Sequence, residues 1–350
     1  MSHPTSITTN AFTATARERI AGYVRRAGGD EGAILALTPD ASTREYFRIP
    51  LRGEWAVAAA YPEPFDPEVH PFIDVTRLFE AAQLPAPAIL DVDPSAGIIV
   101  QEDLGDRQLR RVLETVSEDE RESYVERAIS LIADIQAATP LAYERHSIAS
   151  RLAFDEAKLA WELDYFVEHY FKSYRRETLS HGEEAELKAE LNDIAAELAA
   201  RPRVLCHRDF HTSNLIVDAA DRLRVIDHQD ARMGPASYDL VSLLLDRQTE
   251  TPPLAEIRQR RLFFLAERKA RGLEEVPPED FSREFRLMTV QRCLKACGTF
   301  SYQTGVGGRA STYEQFIRPM LLIVLQAAEW LDRFPALRRT LGARVRPGAA

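Results

Sequence analysis

The hydrophobic pattern of this chain changes period once, near Gly105, and that change limits the architectures open to it. Between Gly32 and Val100 the apolar residues fall in short strand-like runs at 33–37, 45–49, 55–60 and 97–100, separated by Pro, Asp and Gly. A helical pattern over 68–82 interrupts them, and another over 12–27, stopped by Gly28-Gly29, precedes them. After Gly105 the spacing is helical over 119–138, 151–173, 183–199, 253–271 and 281–331. The clear break in that half is 204–226, where 204–206, 215–217 and 223–226 read as strands, the last two joined by a turn at Asp218-Ala219-Ala220-Asp221. The expectation is an α+β, bilobal chain. A small, mainly antiparallel sheet lobe with a packed helix occupies residues 1–103, and a large helical lobe occupies residues 104–350.

At 350 residues the chain can bury its cores without disulfide or metal support. Cys206, Cys293 and Cys297 are odd in number and lack zinc-finger spacing, which fits a reducing compartment. The first ten residues carry neither a basic nor an apolar leader segment, and no apolar run reaches membrane-spanning length. A cytoplasmic location with no membrane partner is therefore expected. The 44 Lys+Arg against 54 Asp+Glu give a formal charge of −10, which argues against nucleic acid as a partner but not against a nucleotide carried with its metal.

His207-Arg208-Asp209-Phe210-His211-Thr212-Ser213-Asn214 has the catalytic-loop pattern of kinases, an aspartate followed five positions later by an asparagine. Phosphoryl transfer needs an acceptor hydroxyl in line with the γ-phosphorus, so a carboxylate must orient that hydroxyl and take its proton. Asp209 is the candidate. The amide oxygen of Asn214 suits the Mg²⁺ that neutralises phosphate charge, and Asp227, directly after the strand ending at Ile226, supplies a second hard oxygen. Singly, each of the three reads equally as a turn residue. Their order across a hairpin favours the catalytic reading. His207 is expected to hold the loop rather than move protons, and Asp239 to cap or brace the helix starting near Tyr238. His211 and His228 leave substrate contact, packing and solvation open.

With these motifs on the page, most of the chain resembles the aminoglycoside phosphotransferase-like small-molecule kinases. Within that group, Asp40-Ala-Ser-Thr-Arg-Glu-Tyr-Phe-Arg48, Gln101-Glu-Asp-Leu-Gly-Asp106 and the stretch from Asp227-His-Gln-Asp230 to Tyr238-Asp-Leu240 look most like the bacterial anomeric kinases of N-acetylmuramate and N-acetylglucosamine. The resemblance implies a protein-kinase-like fold, ATP and Mg²⁺ as cofactors, an amino sugar as acceptor, and a place in cell-wall sugar recycling.

The nucleotide side departs from the protein-kinase pattern. No Gly-rich loop is present, Thr38-Pro-Asp-Ala-Ser-Thr43 having no glycine, and the first lysine in the chain is Lys158. Arginine is expected to take over. Arg44 and Arg48 share a strand face, and Ser42 and Thr43 offer hydroxyl and amide contacts to phosphate. Glu102 and Leu104 mark the hinge whose backbone would read the adenine edge.

For the acceptor, Trp161, Tyr165, Phe166, His169, Tyr170 and Phe171 cluster on one helical pattern, and core packing is the bland reading of most of them. Tyr165 and His169, one turn apart, are the expected exceptions. Gln229, Asp230 and Arg232 follow Asp227 closely enough to be acceptor ligands or loop braces. Arg292 and Lys295 would suit the lactate carboxylate of a muramic acid, or form a solvated face, and Cys293 and Cys297 read as small buried residues. Other acceptors on the same scaffold are an aminoglycoside, choline or a hydroxy-amino acid. A pseudokinase binding module is the reading outside enzymology.

Overall fold

The computed structural model describes residues 14–37 and 44–345. In chain order it has α1 (Ala16–Arg26), β1 (Leu35–Leu37), β2 (Glu45–Leu51), β3 (Glu54–Ala60), α2 (Pro71–Ala81), β4 (Ile89–Asp93) and β5 (Ile98–Glu102). There follow α3 (Leu109–Leu113), α4 (Glu118–Ala137), α5 (Thr139–Glu144), α6 (Ile148–Arg151) and α7 (Glu156–Val167), which runs into a π-helical segment, Glu168–Arg175. Next come α8 (His181–Ala199), β6 (Arg203–Cys206), β7 (Leu215–Val217), β8 (Leu223–Val225) and β9 (Arg232–Pro235). The chain closes with α9 (Tyr238–Leu245), α10 (Leu254–Ala270), α11 (Pro278–Gly305), α12 (Ala310–Leu331) and α13 (Pro335–Val345). Among the described residues no helix is long and apolar enough to cross a membrane.

Two compact units result, Met1–Arg107 with Ile216–Gln229, and Gln108–Leu215 with Asp230–Ala350. In the first, five strands pair antiparallel in the order β1-β2-β3-β5-β4. Phe47 faces Ala58, and Ala58 faces Val100, so strand alternation sets these side chains on one side of the sheet. There they join Ile20, Tyr23 and Val24 of α1 in one core. The alanines of β3 allow that helix to come close. A capping box starts α1, with Thr15 accepting from the Glu18 N–H and Glu18 accepting from the Thr15 N–H. Phe72 and Ile73 of α2 pack with Ile99 in a second cluster.

The division at 103/104 expected from sequence needs a correction, because Ile216–Gln229 groups with the first unit. Main-chain bonds hold it there: the Val217 N–H donates to Arg107 O at 2.8 Å and the Val225 N–H to Pro85 O at 3.0 Å. Strand β4, with a register shift between Ile89 and Asp91, had no strand signal, since its two aspartates and the nearby Pro85 and Pro87 break the pattern.

In the second unit α11 is the spine, packed by α7, the π-helical segment, α9 and α12. The helical pattern over 281–331 is two helices, because Gly305-Val-Gly-Gly308 ends α11 and Gly308 turns at φ +69°. Two glycines of α11 permit close contact with the preceding segments: a Cβ on Gly298 would lie 2.9 Å from Phe166 Cα, and one on Gly305 would lie 2.5 Å from Ser173 O. The pattern over 151–173 is also divided. Leu152 is extended, and α7 starts anew where Asp155 accepts from the Lys158 N–H at 2.8 Å.

Candidate active site

Strand β6 pairs with β9, Cys206 opposite Arg232, and the loop 207–214 leaves its end. Asp239, fully buried, accepts the His207 N–H at 2.7 Å and the Arg208 N–H at 3.0 Å. Its role is thus structural, as expected from sequence, but it braces this loop rather than capping α9. Burial pushes its pKa up, against the pull of His207 and those two amides. Arg208 takes φ +88°, an uncommon conformation for a residue with a Cβ. Buried Phe210 anchors the turn, His207 is buried beside it, and Asn214 closes it by donating Nδ2 to Asp209 O at 2.9 Å.

The Asp209 carboxylate meets three cations, Arg292 Nη2 at 3.3 Å, Lys295 Nζ at 3.4 Å and Arg208 Nε at 3.8 Å. Burial alone would raise its pKa, but Lys295, Arg292 and Arg208 together hold it well below the usual carboxylate range. Arg292 does not lie on a solvated face, one of the two readings its sequence position left open. Its side chain is 4% exposed and is committed to Asp209, to Ser242 Oγ at 3.0 Å and to Asp246 at 3.7 Å. Cys293 and Cys297 are buried, as expected of small residues on this helix.

Asp230 and Arg232 gather around the same loop. Arg208 Nη1 lies 2.6 Å from Asp230 Oδ2, while Arg232 donates to Asp230 O at 3.1 Å and stands 5.4 Å from the Phe154 ring centre. Lys158 reaches Glu162, a buried carboxylate, at 3.8 Å and sits 4.1 Å over Trp161. Burial, and then the field of Arg208, Arg232 and Lys295 against that of Glu162, lowers the Lys158 pKa. Tyr165 and His169 are 4.1 Å apart between ring centres and only partly buried, His169 also touching Tyr302 at 5.0 Å. Phe166, Tyr170 and Phe171 are core.

In the first unit, Asp227 follows β8 at φ +66° with its side chain 41% exposed. Its Oδ1 accepts from Gln229 Nε2 at 2.8 Å, and Arg44 Nη2 lies 3.8 Å away. Gln229 therefore braces Asp227, one of the two roles its sequence position left open. His228 is buried between Phe72 and Phe79 and bonded to Thr76 Oγ1 at 2.7 Å. The Thr76 hydroxyl donates to Phe72 O, so it accepts from His228, whose Nε2 carries the proton.

Arg48 departs from its expected phosphate role, because its guanidinium is bracketed by Asp103 at 2.5 Å and Asp106 at 2.9 Å. The Glu102 N–H is taken by Ala88 O at 2.9 Å and its carboxylate by Arg224 at 2.6 Å, and Leu104 is buried. Ser42 and Thr43 lie outside the described residues. Sequence reasoning missed Glu162, Ser242 and Asp246, whose contacts with Gln291 and Arg292 span 46 or more positions of the chain, and the loop-holding role of Asp239, whose partners are 31 and 32 positions away.

The fold is that of the kinase-like small-molecule phosphotransferases. A choline kinase from Cryptosporidium parvum superposes with a TM-score of 0.60 at 13% identity, covering 90% of this chain and 96% of that one. A choline/ethanolamine kinase family protein from Mesorhizobium loti gives 0.57 at 18% identity over 94% and 97%. The model of the phosphotransferase enzyme family matches residues 33–273, and the chain belongs to that family. Among its relatives are the N-acetylmuramate/N-acetylglucosamine kinases of Neisseria meningitidis, 29% identical over 87% of this chain and 89% of the relative, and of Pseudomonas aeruginosa, 30% identical over 77% and 76%.

Proposed function

We propose that the chain transfers the γ-phosphoryl of ATP to the anomeric hydroxyl of N-acetylmuramate or N-acetylglucosamine, in cell-wall sugar recycling. The observation that carries the chemistry is Asp209, a partly exposed carboxylate kept ionised by Arg292, Lys295 and Arg208 on a braced loop. The choice of sugar rests on the names of the relatives.

Asp209 accepts a hydrogen bond from the acceptor hydroxyl and aligns its lone pair. As its pKa is low, it takes the proton only as the bond to phosphorus forms. Arg44 is assigned to donor phosphate, Glu102 and Leu104 to the adenine edge, and Tyr165, His169, Asp230 and Arg232 to the acceptor. Asn214 and Asp227 are the Mg²⁺ ligands in this reading. An amide oxygen and a carboxylate are the hard donors that ion takes, and the Asn214 amide has its nitrogen turned to Asp209 O, which leaves oxygen as its ligand atom. When bound, the ion neutralises phosphate charge.

Phosphorus NMR of the product, with N-acetylglucosamine, N-acetylmuramate, choline and kanamycin as acceptors, tests this. The expected product is a sugar 1-phosphate. Phosphate at carbon six, or turnover with choline or kanamycin alone, overturns the assignment of acceptor and leaves the family membership untouched.

A further inference from the structure

Helices α10, α11 and α12 and the end of α9 line a half-open pocket of about 130 Å³ with Leu254 and Trp330 exposed at its mouth, and none of the residues assigned above lines it. Its walls are mainly apolar, with Leu245, Leu254, Ile257, Phe285, Ile323 and Trp330 contributing. Two guanidinium groups also line it. Arg261, 8% exposed, donates Nη1 to Ser282 Oγ at 2.5 Å and Nε to Ile257 O at 3.4 Å. Arg286 donates Nη1 to the same Ser282 Oγ and to Ser282 O at 3.2 Å, with its guanidinium 3.4 Å from the Trp330 ring centre.

This arrangement is incomplete by the ordinary rules of burial. Among the described residues neither arginine has a carboxylate within ion-pair distance, and Glu279 acts on both only from further away. Two like charges share one hydroxyl in apolar surroundings, where each would normally be paired. Burial first, and then Arg261, pulls the Arg286 pKa down to about 10. An anion seated between them would remove both penalties at once.

The walls restrict what that anion is. A cavity near 130 Å³ approaches the roughly 150 Å³ that accommodates a benzene ring. Inorganic phosphate would leave Phe285, Ile323 and Trp330 uncovered, and a purely apolar guest would leave the guanidinium groups unpaired. We propose that this cavity binds a small carboxylate with an aromatic or branched apolar body, its carboxylate between Arg261 and Arg286 and its body against Phe285, Ile323 and Trp330. Charge-assisted bonds to planar guanidinium groups favour a carboxylate head.

Benzoate is the probe, and benzamide its neutral counterpart of the same shape. Titration of the full chain is followed by calorimetry and by Trp330 fluorescence, with Trp330→Phe identifying the signal. Benzoate is expected to bind saturably, and benzamide roughly tenfold or more weakly, a difference of about 1.4 kcal/mol. Arg286→Gln, at a half-buried position, should weaken benzoate by a similar factor. Arg261→Gln should do the same where it folds, and Ala327→Phe should block the site in either case. No saturable binding, equal binding of benzamide, or benzoate affinity unchanged in Arg286→Gln and Ala327→Phe would each overturn the proposal.

Discussion

Lys295 Nζ lies 3.4 Å from Asp209 Oδ1, one turn of α11 beyond Arg292, whose Nη2 lies 3.3 Å from the same oxygen. One helix thus places two cations on the carboxylate that the proposed chemistry needs. Asp209→Asn keeps the shape but removes both the charge and the proton acceptor. It is expected to leave the circular dichroism spectrum and ATP binding in place while lowering kcat roughly 10²–10⁴-fold. Turnover near that of the unaltered protein would remove Asp209 from the reaction.

The depressed pKa of Asp209 fixes the sign of a pH effect. A group whose folded pKa is depressed stabilises the fold above its ordinary range near pH 4 and loses that contribution as pH falls through the lower folded value. Asp209 is therefore ionised throughout mildly acidic solution, and kcat should show no acid limb from it between about pH 7 and 5. Lys295→Met removes the largest of the cationic influences, so the carboxylate pKa rises and an acid limb moves up towards that interval. A pH–rate profile of both proteins checks this; superimposable profiles would contradict the role given to Lys295.

Arg44, just before β2, and Arg48, within it, differ in their partners. Arg48 is bracketed by Asp103 and Asp106, whereas Arg44 approaches Asp227 at 3.8 Å and lies within 5.7 Å of the Tyr61 ring centre. Arg44→Ala should raise the KM for ATP far more than that for the acceptor. Arg48→Ala should leave both nearly unchanged and lower Tm by about 1–2 °C, the shift that ~1 kcal/mol gives in a protein of this size. The reverse pattern would return Arg48 to the phosphate.

These contrasts show what the linear sequence carried. Asp209, Asn214 and Asp227 are marked by short spacings and by the strands that flank them, so their positions on the loop and after the hairpin were legible. The switch from strand to helix near Gly105 was legible for the same reason, being local periodicity. The partners of Asp209 were not, because Arg292 and Lys295 lie 83 and 86 positions away, on a helix whose polar pair reads equally as a solvated face. Arg48 misled because its two aspartates lie 55 and 58 positions later. The π-helical turns of Glu168–Arg175 keep the composition of an α-helix and differ only in hydrogen-bond register.

Thr76 accepts from buried His228, the residue that follows Asp227. Thr76→Val keeps the volume and strands a buried ring N–H. A cost of about 1–3 kcal/mol is expected in urea unfolding. Mg·ATP affinity should fall with it if His228 positions Asp227, and calorimetry would show whether it does.

Gly298 lets α11 meet the backbone of Phe166 and the ring of Tyr165, which would stand 2.9 Å and 3.1 Å from an added Cβ. Gly298→Ala should push that segment away, raising the acceptor KM while the KM for ATP changes little. Stability should also fall, by roughly 1–3 kcal/mol for an overpacked core position. Unaltered acceptor kinetics would separate Tyr165 and His169 from substrate.

The allegiance of Ile216–Gln229 to the first unit makes that unit discontinuous, with more than a hundred residues of the other unit intervening in the chain. On the ribosome its five-stranded sheet is made early, but the unit stays incomplete until the segment with Arg224 and His228 has emerged. At roughly 5–20 residues per second, that delay is on the order of ten seconds. During it Pro85 O lacks the Val225 N–H, Thr76 lacks His228, and the face of α2 that holds the imidazole is open to water. The completion of the amino-terminal unit is thus timed by translation of the middle of the chain.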